Sequence, residues 1–291
     1  MKKPIVSILL ACYKSEQLLE KVFLPSLRHV TIPIEIIFYD NTGNGSKDGL
    51  SVLEHSSGSL NPVLRKHKNE NDNLTFLILG KSPMVKEQNI GLNAALNECA
   101  RAATGDFFFL PHTDMYLLPN CLENLVAATK NQAPLSYLLC SRSIEPSQGH
   151  TPHHHIRNYG QEPEEFQEQR MLSECGQFIN DIGVQVGARM PFFMHRKLWE
   201  KMNGVDAHYF SYCTDDDLIQ TAYDVGVRKF WMTDNSLVYH LQGKSNNQQK
   251  VDKDSNEPYE YFVNKWKQKY PDVSHPGQYH HKIIPLYSRV K

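Results

Sequence analysis

Short apolar runs that alternate with amphipathic segments constrain the fold of this chain more than any other feature. Ile5 to Cys12 is an almost unbroken apolar run of strand length, and Ser15 to Arg28 then repeats apolar residues at helical spacing. The same half predicts three more buried strands and a long helix, at Ile34 to Tyr39, Leu74 to Leu79, Asp106 to Leu110 and Lys86 to Ala103. Strands that are apolar throughout belong to parallel sheets covered by helices, so the pattern predicts an α/β fold with a mostly parallel central sheet flanked by helices.

The second half predicts a smaller and less regular portion. Residues 149–181 are rich in His, Gln, Glu and Asn, lack a clear period until about Pro163, and indicate an insertion or lid. Residues 246–291 are predicted to form a loop and helical extension. The elements predicted between and after these segments are strands at Val184 to Ala188, Pro191 to Met194, Lys229 to Met232 and Ser236 to His240, and helices at His195 to Met202, Asp215 to Val225 and Pro258 to Lys269.

Composition excludes several classes of partner. The 291 residues carry a formal charge of -1, so no global field attracts nucleic acid or an anionic membrane. The six cysteines form no C-x-x-C pair, which indicates reduced thiols in a cytoplasmic protein. No run approaches the roughly 20 apolar residues of a transmembrane helix. Association with a membrane surface stays open, and the sequence does not indicate an oligomeric state.

Three polar segments lie just past a predicted strand or at a helix start. His112-Thr113-Asp114 follows the apolar Phe107 to Leu110, Asp215-Asp216-Asp217 opens a helix, and His240 ends a strand. Ligands of open α/β sheets bind beyond the carboxyl ends of the strands, where a carboxylate could hold a divalent ion against phosphates.

Each segment also has a purely structural interpretation. A lone Asp after a strand is usually a cap, acidic residues favour helix starts, and a strand-end His is often a satisfied polar group. His150 and the run His153 to His155 do not indicate a zinc site, because consecutive histidines on a polar segment cannot all face one ion. A solvated lid is the expectation for them.

The order of the motifs resembles the inverting glycosyltransferase family 2. The resemblance implies the GT-A fold of that family, with a Rossmann-like, mostly parallel central sheet and a smaller acceptor-side portion. The resemblance covers roughly Pro4 to Ser245 and rests on motifs in the family's order. They are Ser7 to Tyr13, Glu35 to Asn41, Asn89 to Asn97, Gly105 to Asp114, Asn203 to Asp206, Phe210 to Leu218 and Tyr239 to Ser245. It implies that residues 1–245 form a catalytic domain, with a nucleotide-binding half at 1–118 and an acceptor-side half at 119–245.

The resemblance also implies roles for single residues. Asp40 matches the carboxylate that binds the nucleotide base, and Ala11, Cys12 and Tyr13 match the adjacent wall of that pocket. Asp114 matches the metal-binding carboxylate of the family's D-x-D motif, and His240 a position that can complete the metal shell. Asp215 matches the general base, and its neighbours Asp216 and Asp217 stay open as alternatives.

His112 is a departure, since it stands where the family has the first Asp of the D-x-D, a donor-binding position. The implied reaction moves a hexose or related sugar from a nucleotide-sugar, and the expected donor is a UDP-sugar. The acceptor would be a glycan, a lipid-linked compound or another hydroxyl compound, as in polysaccharide biosynthesis. The expected cofactor is Mn²⁺ or Mg²⁺. Two alternatives stay open. One is a nucleotide- or sugar-binding relative that has lost catalysis, and the other is a nucleotidyltransferase, disfavoured because Ala11 to Ser15 contains no glycine.

Overall fold

Eleven strands form one sheet in the computed structural model, which describes residues 3–41, 51–52, 74–80, 89–147, 154–179, 184–243 and 256–273. The strands are β1 (Val6–Cys12), β2 (Ile34–Asp40), β3 (Ser51–Val52), β4 (Leu74–Gly80), β5 (Phe107–Leu110), β6 (Met115–Leu117), β7 (Tyr137–Glu145), β8 (His155–Ile156), β9 (Val184–Val186), β10 (Phe192–His195) and β11 (Lys229–His240). Their main order is β3-β4-β2-β1-β5-β10-β7-β11-β6, with β8 beside β7 and β9 beside β11.

Helices cover this sheet. A first helical segment combines α1 (Glu16–Leu18), a π-helical turn (Leu19–Phe23), α2 (Leu24–Ser26) and a 3-10 turn (Leu27–His29). The later helices are α3 (Leu92–Ala102), α4 (Cys121–Ala128), α5 (Glu168–Glu174) with a 3-10 turn (Cys175–Phe178), α6 (Arg196–Met202), α7 (Thr214–Asp224) and α8 (Glu257–Lys267). No helix among these described residues is long and apolar enough to cross a membrane.

The predicted α/β architecture with a mostly parallel central sheet is confirmed. Strands β4, β2, β1 and β5 run parallel, and the side chains of β2, β1 and β5 are largely buried, as is typical of parallel sheets. The second portion is mixed: β10 is antiparallel to both β5 and β7, whereas β11 is parallel to β7. Parallel neighbours place the carboxyl ends of β2, β1 and β5 at one edge.

The second portion differs from its predicted elements. The two strands expected at 229–232 and 236–240 are one strand, β11, whose register against β7 shifts between Thr233 and Leu237. The helix expected from about Pro163 begins at Glu168. Residues 154–179, the described part of the lid-like insertion, place Tyr159 and Met171 in a second apolar cluster with Tyr116 and Tyr239. This part of the insertion is therefore packed against the sheet.

Helix α8 belongs to the folded body. Phe262 is fully buried and Trp266 nearly so, in a cluster with Tyr209 and Cys213 from the segment before α7. Burial of such an aromatic side chain contributes about 1.5–3 kcal/mol. The C-terminal helix consequently fixes the start of α7, where the three consecutive aspartates lie.

Candidate active site

Strand pairing brings Asp114 and His240 together across the chain. The short β6 starts directly after Asp114 and pairs antiparallel with the end of β11, so His240 lies opposite Met115. The Leu241 amide donates a hydrogen bond to the Asp114 carbonyl at 3.0 Å. As a result, His240 Nε2 lies 3.6 Å from Asp114 Oδ2, whose side chain is fully buried.

His112 completes a three-residue cluster. A tight turn follows β5, in which the Met115 amide donates to the His112 carbonyl at 3.2 Å. This turn directs His112 and Asp114 to the same side, with the rings of His112 and His240 6.1 Å apart. One ligand atom from each of His112, Asp114 and His240 lies within 4.8 Å of the others, which is the spacing of a potential metal site.

Glu145 orients His240 from the opposite side. It ends β7, one residue beyond the β7–β11 register pair of Ile144 and Tyr239, and is almost fully buried. Its Oε1 lies 3.2 Å from His240 Nδ1, and its Oε2 accepts a hydrogen bond from Gln242 Nε2 at 3.0 Å. A carboxylate on one imidazole nitrogen fixes the ring so that the other nitrogen can bind a metal.

The sequence did not single out Glu145 or its second neighbour, His154. His154 Nδ1 lies 3.1 Å from Glu145 Oε2, and only 6% of the His154 side chain is exposed. The solvated lid expected for these histidines is therefore wrong at His154, which packs against a buried carboxylate. His155, in β8, contacts Phe178 with its ring tilted by 47°, while His150 and His153 lie outside the described residues.

The cluster has strongly perturbed electrostatics. Burial opposes the charge on His240, but the carboxylates of Asp114 and Glu145 outweigh it and raise the His240 pKa to about 10. Burial alone would raise the pKa of Glu145, yet the imidazoles of His154 and His240 lower it to about 2. Burial lowers the pKa of His112, which favours its neutral form despite the nearby charges of Asp114 and Asp215.

The three consecutive aspartates at the start of α7 have different partners. Asp217 is buried, accepts a hydrogen bond from Trp266 Nε1 at 2.8 Å and pairs with Lys265 Nζ at 2.8 Å. Asp216 Oδ1 lies 3.7 Å from Arg189. Asp217 thus anchors α8, a role that sequence alone could not assign.

Asp215 lies near enough to the cluster for its charge to act on His112. Its Oδ2 accepts a weak hydrogen bond from the Met190 amide at 3.3 Å, and its side chain is partly exposed. Its charge contributes to the pKa of His112, so the two groups share one electrostatic environment.

The four residues expected around the nucleotide base lie at the carboxyl ends of β1 and β2. Cys12 and Asp40 are register partners, and the Asn41 amide donates to the Cys12 carbonyl at 2.8 Å. Ala11 and Tyr13 are partly exposed, whereas the Cys12 thiol is buried and its pKa is raised by that burial and by Asp40. Cys12 can therefore line a pocket with its backbone only.

Comparison with known proteins finds a family that is similar to part of this chain. Residues 80–199, which contain His112, Asp114 and Glu145, match the family described as Glycosyl transferase family 2. The matched residues are less than half of the chain, and this part of it is similar to that family. The matched segment excludes Asp40, Asp215 and His240, and no protein with a curated description matches the chain in sequence.

Solved structures show the fold of this chain. The chain is similar to S. aureus TarS 1-349, with a TM-score of 0.52 and 13% identity, over 83% of this chain and 61% of that structure. It is also similar to the TarS complex with UDP-GlcNAc, with a TM-score of 0.51 and 13% identity, over 80% of this chain and 57% of that one.

A third similar structure contains a metal ion. It is the mannosyltransferase PcManGT from Pyrobaculum calidifontis with GDP-Man and Mn²⁺, matched with a TM-score of 0.53 and 14% identity over 96% of this chain and 68% of that one. These likenesses show that the chain has the GT-A fold. The chain spans less than two thirds of the TarS structures.

Proposed function

We propose that this chain transfers a sugar from a nucleoside-diphosphate donor to a hydroxyl acceptor, with inversion at the anomeric carbon. Asp114 and His240 would hold a divalent ion, and Asp215 would act as the general base. The observation that carries the proposal is the 3.6 Å approach of His240 to Asp114, within a cluster at the sheet edge where ligands of such folds bind.

The residues present fit a divalent ion. Three ligand atoms lie within 4.8 Å of one another, and Glu145 supports one of the two imidazoles. When bound, Mn²⁺ or Mg²⁺ neutralises the charge that grows on a departing diphosphate. The raised pKa of His240 means that its ring carries a proton until an ion replaces it, so metal binding should release a proton.

Asp215 supplies the proton transfer in this proposal. An acceptor hydroxyl must lose its proton as it attacks the anomeric carbon, and a carboxylate within hydrogen-bond reach can accept it. A single displacement by the acceptor inverts the configuration, so an α-linked donor would give a β-glycoside. Arg189, whose guanidinium lies beside Asp216, would help to position a polar acceptor at the same opening.

Asp40, Ala11, Cys12 and Tyr13 would bind the nucleotide base in this proposal. Asp40 ends β2 beside the end of β1, so its carboxylate can accept hydrogen bonds from a base, and Tyr13 offers an aromatic surface. The similar structures hold UDP-GlcNAc in one case and GDP-Man with Mn²⁺ in the other. We propose a UDP-sugar as the donor and a glycan, lipid-linked or other hydroxyl compound as the acceptor.

A thermal-shift panel tests the proposed function. UDP, GDP, ADP and CDP are each added to the full chain with and without Mn²⁺. Ligand at 100 times its Kd stabilises the native state by about 2.7 kcal/mol, so the matching nucleotide should raise Tm by on the order of 5 °C, and more with Mn²⁺ than without it.

Asp114→Asn serves as the matched variant in the same panel. It should lose the Mn²⁺-dependent part of the shift and keep the smaller, metal-independent part, because the base contacts remain. No nucleotide response in the wild-type chain would overturn the proposed function. A selective response without sugar transfer would indicate a binding protein that has lost catalysis.

Glu145→Gln is expected to weaken metal binding about 10- to 100-fold, because an amide holds the His240 ring less firmly than a carboxylate does. Isothermal titration with Mn²⁺ measures this change. Glu35→Gln is the control, since Glu35 is a buried, hydrogen-bonded carboxylate at the opposite end of β2. Equal Mn²⁺ affinity in Glu145→Gln and wild type would show that Glu145 does not support the metal ligand.

A further inference from the structure

His112 occupies a ligand position of the cluster. The turn after β5 holds it through the backbone, since its carbonyl accepts from the Met115 amide at 3.2 Å and its own amide lies 3.4 Å from Met115 Sδ. Its ring is nearly edge-on to that of His240. Ligand atoms about 2.0–2.2 Å from a shared ion lie roughly 3–4 Å apart, so the 4.8 Å cluster needs only a small side-chain adjustment to close on an ion.

The resulting donor set is unusual for a site that takes Mg²⁺. It contains two imidazole nitrogens and one carboxylate oxygen. Mg²⁺ favours oxygen ligands and water, whereas imidazole favours Mn²⁺, Fe²⁺, Co²⁺ and Zn²⁺ progressively more than it does Mg²⁺. Glu145, beside His240, is the carboxylate partner that commonly accompanies a metal-bound imidazole, and it supports a nitrogen-ligated ion independently of His112.

We infer that His112 is a direct metal ligand and that the His112–Asp114–His240 cluster selects a transition-metal ion over Mg²⁺. The inference rests on the proposed function for the role of the ion, although the site itself is defined by these three side chains. His112 thereby provides a nitrogen ligand where the family has an aspartate oxygen. The site can still bind a metal ion, but it prefers a different ion.

Metal titrations of the full chain test the selectivity. Wild-type protein, stripped with a chelator, is titrated with MnCl₂, CoCl₂ and MgCl₂, and the same titrations are made on His112→Asp. We expect wild type to bind Mn²⁺ and Co²⁺ at least 100-fold more tightly than Mg²⁺. His112→Asp should reduce the ratio of the Mn²⁺ affinity to the Mg²⁺ affinity about 10-fold or more, because an oxygen ligand takes the place of a nitrogen ligand. An unchanged ratio would overturn the inference.

Pulsed electron paramagnetic resonance counts the nitrogen ligands without relying on activity. Wild-type protein loaded with Mn²⁺ should show two imidazole nitrogens, and His112→Asp should show one. His155→Asp is the control, since His155 belongs to β8 and contacts Phe178 rather than the cluster, and it should keep two. If His112→Asp fails to fold, the wild-type spectrum alone is decisive. A single imidazole nitrogen on Mn²⁺ in the wild-type protein would overturn the inference.

The two proposals fail in different ways. Two nitrogens on Mn²⁺ with no nucleotide response and no sugar transfer would leave the metal site standing and overturn the proposed function. Sugar transfer supported equally by Mg²⁺ and Mn²⁺, with a single nitrogen on the ion, would leave the proposed function standing and overturn the role of His112.

Discussion

Asp215→Asn should lose about 10²- to 10⁴-fold in kcat, which is the range that a positioned general base contributes. The amide keeps the size of the side chain and can still accept from the Met190 amide, so the local structure should persist. It cannot take a proton from the acceptor hydroxyl. The measurement is the steady-state rate of sugar transfer, or of donor hydrolysis where the acceptor is not yet identified.

Donor binding by Asp215→Asn shows whether the variant has lost only the general base or whether its binding site is damaged. Asp215→Asn should keep the nucleotide- and Mn²⁺-dependent rise in Tm, because the cluster of His112, Asp114 and His240 is intact. Asp216→Asn is the neighbouring control and should change kcat by less than about 10-fold, since its carboxylate faces Arg189. The reverse pattern, with Asp216→Asn inactive and Asp215→Asn active, would assign the base to Asp216.

Lys265→Met should destabilise the fold by about 3 kcal/mol, because it removes the cation that compensates a buried carboxylate. Lys265 Nζ lies 2.8 Å from both Asp206 Oδ2 and Asp217 Oδ1, and Asp217 has 2% of its side chain exposed. About a quarter of the Lys265 side chain is exposed. We therefore expect a loss at the lower end of the range that is typical for removing one partner of a buried ion pair. Urea denaturation measures the loss.

The loss should depend on pH with a defined sign. Burial raises the pKa of Asp217 above its usual range, and Lys265 opposes that rise. Without Lys265 the folded-state pKa rises further above the unfolded value, so the folded state gains protons more readily as pH falls. The destabilisation by Lys265→Met should therefore be largest near neutral pH and should shrink in acid.

Lys269→Met is the matched control for the same helix region. Lys269 pairs with Asp224, but 60% of its side chain is exposed, and surface pairs contribute about 0–1 kcal/mol. Equal losses for Lys265→Met and Lys269→Met, or a loss that does not change with pH, would argue against a buried anchor at Asp217.

The sequence predicted the parallel half of the fold because its strands are apolar on both faces. β1, β2 and β5 match their predicted positions within one or two residues. β7 was not predicted although its nine residues are all buried. Arg142 interrupts its apolar pattern and is compensated by Asp234 at 3.1 Å across the sheet, and Ser141 pairs with Ser236 in the same way. Such compensation depends on a distant strand and leaves no local pattern.

The sequence motifs predicted several residues of the candidate site, but they did not predict which side chains surround those residues. The order of the motifs indicated Asp114, Asp215 and His240, and the structure brings Asp114 and His240 together. Glu145 follows from the parallel register of β7 and β11, which no local pattern reveals. Asp217 could be separated from Asp215 only through its contacts with Lys265 and Trp266 on a helix encoded about fifty residues later.

The pairing of β6 with β11 has a consequence for the chain during its synthesis. His240 ends the last strand of the sheet among the described residues, whereas Asp114 precedes β6, near the middle of the sheet's sequence. Folding during translation can complete the parallel half before β11 has emerged from the ribosome. An incomplete nascent chain would thus contain His112 and Asp114 without His240. Under the proposed function, such a chain could neither hold the metal ion nor consume the donor until the last strand had joined the sheet.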